Sequence, residues 1–417
     1  MIHLLWDESH IWGLLLWRAL KTWGFEHRLV RGEEIAQAGL SRKSCAALLV
    51  PGGWAKGKRE ALGDAGAEAL RQYVASGGVY VGFCGGAGLG LTGKHGLGLC
   101  PWKRRAFRDR LQHFSSGHMV VDLAPQNDPD ATAGLVPGSL PRSIMAPVWW
   151  PARFQPEDGD GVTVLAAYRE PASDFWVADL PLQSLPKEPV EELETLYGVR
   201  FWPRFMTGQP VAVTGRHGDG RYVLSYSHLE TPDSPEANAW LAHMLATLTG
   251  ADPVPELKSR TSRWDLRRLP SRWDDPDLDR AKKAMENVIR LGQENLLLFR
   301  RNSWLLGWRR GIPGASLNAL YSLISQARAL PPTDAARDYW QANAAPFMEQ
   351  MEHFHAGLTG YLLAERLGMT LTEANSLIPA EALAEQRAAL FGAPMLPGGL
   401  MQPLMRTMDE LIWRLLA

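Results

Sequence analysis

The chain has few cysteines, no large charge of either sign and no long apolar run. Its 417 residues include only three cysteines, Cys45, Cys84 and Cys100, and no two of them form a C-x-x-C pair. This excludes a disulfide framework and a cysteine-rich zinc site, and it favours a reducing compartment. The formal net charge is -1. General binding to nucleic acid or to an anionic membrane is therefore not expected, because both usually require a positive surplus.

Signals for membranes and for secretion are also missing. No stretch reaches about 18 apolar residues, so no membrane-spanning helix is predicted. Asp7 and Glu8 follow a short apolar start, and no basic region precedes a long apolar core, so we expect no signal peptide. Hydrophobic residues make up 46% of the chain, which is enough for real cores. We expect a cytoplasmic protein of two domains or one large one.

One pentapeptide carries a specific chemical signal. Gly82-Phe83-Cys84-Gly85-Gly86 follows a strand-like run and precedes a helix. Such a small-x-Cys-x-Gly turn forces its central residue into a strained, exposed conformation that glycine neighbours tolerate. Helix N-termini also lower the pKa of a thiol. The motif predicts that Cys84 is a nucleophile, the alternative being a small buried apolar side chain. Cys45 and Cys100 lack this setting and are expected to be structural.

A second segment supplies partners for the thiol. The β-rich run that starts at Gly220 ends in His228, and Glu230 follows two positions later. A cysteine nucleophile needs a base, and the base needs a third group that holds its ring in the useful tautomer. The sequence thus predicts a triad of Cys84, His228 and Glu230. The alternative for His228 is a buried core histidine. Other histidines that are candidates for the crevice are His95, His113, His118 and His217.

Three motifs together resemble a known superfamily. Pro51-Gly52-Gly53, the Cys84 pentapeptide and Ser227-His228-Leu229-Glu230 resemble, in this order, the class I glutamine amidotransferases. Within that superfamily the chain looks most like the biotin-protein ligase N-terminal-like family, which carries a PGG turn, a GxCGGA elbow and a late HPE-type triplet. Leu229 stands where the triplet has proline. The resemblance covers about residues 1–250 and implies a flavodoxin-like domain. Families on this scaffold include non-enzymatic members.

The loops of such a site are expected to supply further groups. An oxyanion hole needs backbone N–H donors, and Gly53 and Gly85 are the predicted pair because glycine lets the backbone approach closely. The alternative is that both loops are only tight turns. Gly52 and Gly86 are expected beside them as substrate-binding positions. Asp7 and Glu8, after the first strand, are candidates for binding the thiol or a substrate amine, or alternatively for capping a helix that begins at His10.

The pattern of apolar residues predicts an α/β fold. Strand and helix signals alternate over the first 100 residues, which is typical of a parallel sheet with helices on both faces and a ligand crevice at the carboxyl ends of the strands. Short β runs between 111 and 226 predict an antiparallel remainder. The domains are then an α/β domain over 1–250, a Pro-, Ser- and Arg-rich linker over 251–277, and an α-helical bundle over 278–417.

Two other groups of residues are candidate ligand sites. A basic cluster beside Trp102 either holds a carboxylate or phosphate or is a solvated face; its members are Lys103, Arg104, Arg105, Arg108 and Arg110. Glu352 and His355 have the Glu-x-x-His spacing of di-iron bundles, but such sites need a second pair. We expect no metal and no cofactor.

These observations favour a cysteine-dependent amidase or glutaminase-like hydrolase that acts on a small-molecule amide or acyl substrate. Since no ATP-binding or synthase motif is recognised, transfer of ammonia would require a synthetase partner protein, and biotinylation is not implied. An isopeptidase or small-peptide protease would share the triad. The alternative from another class is a non-catalytic ligand-binding or regulatory module on the same scaffold. The helical domain is expected to cover the crevice or to form a homo-oligomer.

Overall fold

The computed structural model describes most of the chain, in two compact units. The described residues are 1–105, 115–125, 132–157, 161–197, 202–252, 261–309, 311–370, 379–392 and 398–417. The first unit is Met1–Arg263 and the second is Trp264–Ala417. Three residues singled out in the sequence, Arg108, Arg110 and His113, lie outside the described residues.

The first unit is built on one large mixed sheet. The strands of this unit are, in chain order, β1 (Ile2–Leu5), β2 (His27–Val30), β3 (Ala47–Val50), β4 (Val79–Phe83), β5 (Lys103–Arg104), β6 (Ser115–Leu123), β7 (Ser143–Trp149), β8 (Phe154–Gln155), β9 (Thr163–Pro171), β10 (Trp176–Val177), β11 (Leu180–Pro181), β12 (Pro210–His217) and β13 (Gly220–Ser225). Strands β5 and β8 form a separate short pair. Eleven of these strands form the sheet, in the order β11-β10-β6-β9-β12-β13-β4-β3-β1-β2, with β7 paired to β6.

The sheet has a parallel half and an antiparallel half. Strands β2, β1, β3, β4 and β13 are parallel neighbours. Every residue of β1 and β3 is buried, as expected for parallel strands that are covered on both faces. The strand order 2-1-3-4 followed by a late fifth strand is that of a flavodoxin-like sheet. The remaining strands are antiparallel. The predicted α/β, flavodoxin-like fold with an antiparallel remainder is confirmed.

The helices of the first unit are α1 (His10–Trp23), α2 (Gly32–Ala38), α3 (Ala55–Ala75), α4 (Gly85–Gly90), α5 (Lys187–Tyr197) and α6 (Pro235–Thr249). Helix α1 begins at His10, as predicted, and ends at Gly24, whose φ of 76° supplies the left-handed turn that closes many helices. Helix α3 begins at Ala55, after the Pro51-Gly52-Gly53 turn and Trp54. It contains a non-helical Gly63 with φ 61°.

The second unit is mainly helical, as predicted, and also contains a hairpin that the sequence did not indicate. Its elements are α7 (Pro276–Glu294), β14 (Leu298–Arg300), β15 (Leu306–Trp308), α8 (Gly314–Ala329), α9 (Asp334–Thr370), α10 (Ala380–Phe391) and α11 (Met401–Leu416). Asp275 caps α7, because its carboxylate accepts from the N–H groups of Asp277 and Leu278. The indole of Trp340 donates to the same carboxylate at 2.9 Å.

The segment predicted to be a linker contains buried side chains. The predicted linker, 251–277, contains Trp264, Leu266 and Trp273, which are all buried and belong to the second unit. The apolar side chains of this stretch therefore pack, although its Pro and Arg content is typical of a linker.

Within the described ranges, no helix is both long enough and apolar enough to cross a membrane.

Candidate active site

Four loops meet at the carboxyl edge of the parallel half of the sheet. They follow β1, β3, β4 and β13 and carry, in turn, Asp7 with Glu8, the Pro51-Gly52-Gly53 turn, Cys84, and the segment from Ser227 to Glu230. Carboxyl ends of parallel strands lie at one edge of a sheet, and ligand sites of doubly wound folds form there. The topology thus gathers the predicted site residues at one place.

Cys84 occupies a strained turn between β4 and α4. Its φ and ψ are 47° and −104°, outside the regions that most residues adopt. Its N–H donates to the carbonyl oxygen of Ser225 at 2.7 Å, and its own carbonyl accepts from Gly88 at 2.9 Å. These two bonds hold the turn to β13 on one side and to α4 on the other. Cys84 is partly exposed. The strand, turn and helix have the strained geometry that the sequence predicts for an elbow.

The small residues of the elbow are required by close packing. A Cβ at Gly82 would lie 2.5 Å from the carbonyl oxygen of Gly86, and a Cβ at Gly86 would overlap the carbonyl oxygen of Val50. The Tyr80 hydroxyl donates to the Gly86 carbonyl at 2.7 Å and fixes the first turn of α4 from below. Gly86 therefore serves the packing of the turn, and its predicted role in substrate binding stays a prediction.

His228 and Glu230 form a buried pair beside the elbow. The imidazole Nδ1 of His228 lies 2.7 Å from Oε1 of Glu230, and both residues are 0% exposed. Since a carboxylate only accepts, Nδ1 carries the proton, and Nε2 is buried with no hydrogen-bond partner among the described residues. The His228 N–H donates to Pro147 at 2.9 Å, and Asn238 donates to the carbonyl of Leu229 at 2.8 Å. The loop is thus held without the family's proline.

The charges of this group point to an ion pair. Burial alone would lower the pKa of His228, but the Glu230 carboxylate and the Cys84 thiol raise it to about 10. Burial alone would raise the pKa of Cys84, but its interaction with His228, the charge of Arg104 and the N–H of Gly85 lower it overall. Both directions favour a thiolate facing an imidazolium, the reactive state of a cysteine nucleophile. We call Cys84, His228 and Glu230 the cysteine triad.

A tryptophan and a glycine clamp the imidazole ring. The ring of Trp12, on α1, stacks on the ring of His228 with centroids 4.2 Å apart. A Cβ at Gly52 would lie 2.6 Å from Cε1 of His228 and 3.0 Å from Cγ of Trp12. Gly52 is therefore needed for the ring to fit, and its predicted contact with a substrate stays a prediction. Sequence reasoning missed Trp12; its place in the first turn of the helix after β1 was the only signal available.

The predicted oxyanion donors are adjacent. A Cβ at Gly85 would overlap the carbonyl oxygen of Gly53, so the two loops touch at these glycines. Gly53 has a φ of 106°, which favours glycine. Among the described residues, neither Gly53 nor Gly85 donates its N–H to a backbone carbonyl. The N–H of Gly85 acts on the Cys84 sulfur and is one of the groups that lower the pKa of the thiol, so it lies beside the reacting atom; the role of the two glycines as oxyanion donors stays a prediction.

Asp7 and Glu8 have contacts that the sequence did not indicate, and their predicted role in binding the thiol or a substrate stays a prediction. Asp7 accepts from the N–H of Gly32 at 2.7 Å, at the start of α2, and burial raises the pKa of its carboxyl group. Helix α1 begins after Ser9 with no acidic residue in its first turn, so the proposed cap at His10 is wrong. Glu8 has a φ of 51° and its carboxylate lies 3.7 Å from His10.

A buried lysine, not considered in the sequence, supports this loop. Lys58 is 0% exposed, and its Nζ donates to the carbonyl of Asp7 at 2.8 Å and to Oγ of Ser9 at 2.6 Å. A Cβ at Gly53 would lie 3.6 Å from Cε of Lys58 and would overlap the carbonyl oxygen of Glu8. The lysine thus packs beneath the turn that carries a predicted oxyanion donor. Its position one turn into α3 carries no sequence signal.

The structure gives the positions and contacts of two other candidate histidines, His217 and His118. His217 ends β12 opposite Gly220, at the amino end of β13 and so at the far edge of the sheet from Cys84. His118 links two groups: its Nδ1 lies 2.8 Å from Asp174 Oδ2 and its Nε2 lies 2.8 Å from Oγ of Ser234. We call Ser234, His118 and Asp174 the serine cluster. Ser234 precedes α6 as its N-cap residue.

The other cysteines and the proposed metal pair give no second site. Cys45 and Cys100 are both 0% exposed, and burial raises the pKa of Cys45. In α9, Glu352 is exposed and His355 is half-buried. Across the described residues, no three His, Cys, Asp or Glu side chains are arranged to hold a metal ion.

Comparison with protein families identifies one segment. Residues 30–92 match the family model described as biotin-protein ligase, N terminal. This segment contains the Pro51-Gly52-Gly53 turn and the Cys84 elbow, and it ends before His228 and Glu230. The resemblance inferred from the motifs is thereby confirmed for this family. No curated protein sequence matches the chain.

Solved structures give distant similarities. A ThuA-like protein from Parabacteroides merdae is 12% identical, with 63% of this chain and 96% of that chain covered and a TM-score of 0.37. One from Bacteroides uniformis is 15% identical, with 59% and 91% covered and a TM-score of 0.36. A β-galactosidase from Bacillus circulans is 14% identical, with 60% covered and a TM-score of 0.35, and the chain spans only 31% of its length. At these scores the similarities carry no argument about activity.

Proposed function

We propose that this chain, whose residues 30–92 match the biotin-protein ligase N-terminal family, is a cysteine-dependent amidase or glutaminase-like hydrolase. One observation carries the proposal: a partly exposed thiol in a strained elbow faces an imidazole whose other nitrogen lies 2.7 Å from a buried carboxylate. Nucleophile, base and orienting group are the parts that acyl transfer needs, and they occur here in that order.

The first half of the reaction forms an acyl-enzyme. The Cys84 thiolate attacks the carbonyl carbon of the amide, and the electron pair moves to the oxygen, where the N–H groups of Gly53 and Gly85 stabilise it. When the tetrahedral intermediate collapses, the C–N bond breaks and the leaving nitrogen takes the proton from Nε2 of His228. Glu230 keeps a proton on Nδ1, so Nε2 is the nitrogen that exchanges a proton with the thiol and with the leaving group.

The second half releases the acyl group. A water molecule gives a proton to Nε2 of His228 and attacks the thioester carbon; the C–S bond breaks and the thiolate is restored. The products are a carboxylic acid and ammonia or an amine. If the ammonia is used in a synthesis, a separate synthetase partner must supply the acceptor, because the sequence has no recognised ATP-binding or synthase motif.

One observation favours the non-catalytic alternative, a ligand-binding module. His228 and Glu230 are both 0% exposed, and Trp12 stacks on the imidazole ring. Because the imidazole is covered in this way, a substrate can approach it only from the side of the Cys84 thiol. In that alternative Cys84 is an ordinary thiol, and its reactivity does not depend on the histidine.

The rate of alkylation of Cys84 by iodoacetamide, measured by intact mass against pH, tests the proposal. We expect the thiol of the wild type to titrate well below the ordinary value of about 8.5. In His228→Ala the pKa should return toward that value, and the rate at neutral pH should fall roughly tenfold or more because the thiolate fraction falls. The same pKa in both proteins, or a thiol that never reacts, would favour the binding module.

Two matched variants make this measurement specific. Cys84→Ala should abolish alkylation, since Cys45 and Cys100 are 0% exposed. His118→Ala removes another imidazole of the same unit that is hydrogen-bonded to a carboxylate, at 2.8 Å, and it should leave the rate at Cys84 unchanged. A fall in both histidine variants would indicate a general loss of packing instead.

A further inference from the structure

The indole of Trp12 covers one face of the His228 imidazole. The two ring centroids are 4.2 Å apart and the ring planes are inclined by 30°. A cation within about 6 Å of the centre of a tryptophan ring is attracted by the negative charge of its face, most strongly where water is excluded. His228 is 0% exposed, so water does not weaken the contact. The indole therefore favours the charged form of the imidazole over the neutral form.

Two acidic groups act on the same imidazole. Glu230, on its own loop, contacts the ring edge at Nδ1 with a distance of 2.7 Å, and Cys84 acts from the turn before α4. Helix α1 contributes Trp12, the turn after β3 contributes Gly52, and β7 contributes the carbonyl of Pro147; none of these groups titrates. The carboxylate thus occupies an edge of the ring and the indole a face, so both stabilise the imidazolium without competing for one position.

A second indole fixes the position of Trp12. The ring of Trp150 meets it edge-on, with centroids 6.0 Å apart and planes at 89°, an arrangement that aromatic pairs prefer. The Gly52 turn packs on it as well, since a Cβ at Gly52 would lie 3.0 Å from Cγ and 3.2 Å from Cδ1 of Trp12. The indole thus has two packing partners besides the imidazole.

The backbone of Trp150 is strained. Its φ is 53°, a left-handed value that a bulky residue rarely adopts. The residue follows β7 directly, and its N–H donates to the carbonyl of Ser115 at 3.0 Å. Strand β7 also accepts the backbone N–H of His228 at Pro147, at 2.9 Å. Strain of this kind is found where a fixed geometry serves a function, and here it places one indole against another beside the imidazole.

We propose that Trp12 is a positioning residue whose indole face stabilises the charged form of the His228 ring, and that Trp150 holds the indole in place. The charged ring is the form that gives a proton to the leaving nitrogen in the proposed reaction. The purpose of the stack therefore rests on the proposed amidase function, but the stack itself is tested by titration of His228, which needs no substrate.

Histidine side-chain NMR measures this titration, and His228→Gln identifies the signal by its loss. Trp12 is replaced in turn, by site-specific incorporation, with mono-, di- and trifluorotryptophan. Each fluorine withdraws electrons from the indole face and changes its size little. We expect the pH midpoint of His228 to fall stepwise, by roughly half a unit to one and a half units over the series. The same midpoint throughout the series would overturn the proposal.

Trp17 offers a matched control in the same helix. It is 7% exposed and has a cation of its own, with Nζ of Lys21 4.9 Å from the ring centroid. Trp17 comes five positions after Trp12, so its side chain points to another side of α1. Trifluorotryptophan at position 17 should leave the midpoint of His228 unchanged. An equal fall at positions 12 and 17 would mean that fluorination acts without the stack, and it would overturn the proposal.

Trp150→Gly separates the position of the indole from the stability of the fold. Glycine relieves the left-handed backbone, which offsets part of the packing that is lost, while the edge contact to Trp12 disappears. We expect the midpoint of His228 to fall, though by less than in Trp12→Leu. Trp12→Phe keeps an aromatic face and should lie between the wild type and Trp12→Leu. A wild-type midpoint in Trp150→Gly would overturn the role assigned to Trp150.

The same titration separates this inference from the amidase function. In the wild type we expect a midpoint near 10. A midpoint near the ordinary value of about 6.5 would contradict the thiolate–imidazolium pair, and with it the amidase function, whereas a stepwise fall from either starting value supports the stack. A midpoint near 10 that fluorination at position 12 does not move would overturn the stack and leave the amidase function intact.

Discussion

The cysteine triad and the serine cluster have similar hydrogen-bond distances, but they differ in which of their groups is buried and which is exposed. In each, an imidazole bridges a nucleophilic side chain and a carboxylate, with nitrogen to carboxylate distances of 2.7 and 2.8 Å. In the cysteine triad the carboxylate is 0% exposed and the thiol is partly exposed. In the serine cluster the Asp174 side chain is 49% exposed, whereas Ser234 is 2% exposed.

This difference decides which arrangement suits catalysis. A nucleophile must meet the substrate, and the orienting carboxylate acts best where water does not screen it. The cysteine triad satisfies both conditions. The serine cluster reverses them and joins the turn of Asp174 to the N-terminus of α6, which is a structural role. Hydrogen-bond distances alone would not have separated the two.

The largest expected difference between them is in stability. Glu230→Ala leaves a buried imidazolium without its carboxylate, and breaking a buried pair in this way costs about 3–5 kcal/mol of the free energy of unfolding. Asp174→Ala removes an exposed partner and should cost about 0–1 kcal/mol. Urea unfolding of both variants, followed by fluorescence, measures the two values side by side.

Equal costs would show that the burial of the two carboxylates does not distinguish the clusters. If Glu230→Ala does not fold, Glu230→Gln keeps the shape of the side chain and one hydrogen-bond acceptor. It should be destabilised less than Glu230→Ala and still more than Asp174→Asn. The comparison depends on the order of the four variants in free energy of unfolding, rather than on any single value.

The next effect is steric and concerns the position of the His228 imidazole. In Gly52→Ala the new methyl group would lie 2.6 Å from Cε1 of His228 and 3.0 Å from Cγ of Trp12. The ring must shift, at a cost of about 1–3 kcal/mol, and alkylation of Cys84 should slow. Gly88→Ala is the matched control, because its nearest neighbour is 3.7 Å away; it should leave both the stability and the rate intact. Equal rates in the two variants would contradict a clamped ring.

The sequence predicted the elements of the site better than its supporting contacts. Strand β4, helix α1 and the elbow could be predicted because turn glycines and apolar periodicity are local signals. The pairing of Cys84 with His228 rested on motif order, since only the parallel contact of β4 with β13 brings them together. Trp12 and Lys58 could not be assigned, because a ring on a helix and a lysine one turn into another have no local pattern that indicates burial against a loop.

Acidic residues near His10 illustrate the same limit. An acid just before a helix normally predicts a cap, yet Asp7 turns to the N–H of Gly32, which lies far along the chain. The carboxylate is held by the next helix of the βαβ unit rather than by its own. Likewise, the buried tryptophans at 264 and 273 lie in a stretch whose composition favours a linker, because composition does not reveal which apolar side chains find a core.

A smaller effect is the pH dependence that the cysteine triad adds to stability. The pKa of His228 rises from its ordinary 6.5 to about 10 in the folded protein, so its contribution is full below 6.5 and is lost as the pH rises through about 10. The pKa of Cys84 is lowered from 9.0, so its contribution is full above 9.0 and is lost as the pH falls through the lowered value. The two slopes oppose each other where the pH lies below 9.0 and above both 6.5 and the lowered pKa of Cys84.

The advantage of the wild type over His228→Gln should therefore be level where the two slopes oppose each other. Above pH 9 it should fall by up to about 1 kcal/mol per pH unit. Unfolding free energies of both proteins at a series of pH values measure this window. An advantage that keeps rising into alkaline pH would contradict an imidazolium beside Cys84.

The smallest effect is expected at the serine cluster. Ser234→Ala removes the hydrogen bond to Nε2 of His118 and should cost about 1 kcal/mol of unfolding free energy, with no change in the alkylation of Cys84. A fluorophosphonate probe, which marks activated serines, should leave Ser234 unlabelled, since that residue is 2% exposed and its carboxylate partner is open to water. Labelling that disappears in Ser234→Ala would mean that burial is not what separates the two clusters, because a buried serine with an exposed carboxylate would then be as well activated as the thiol.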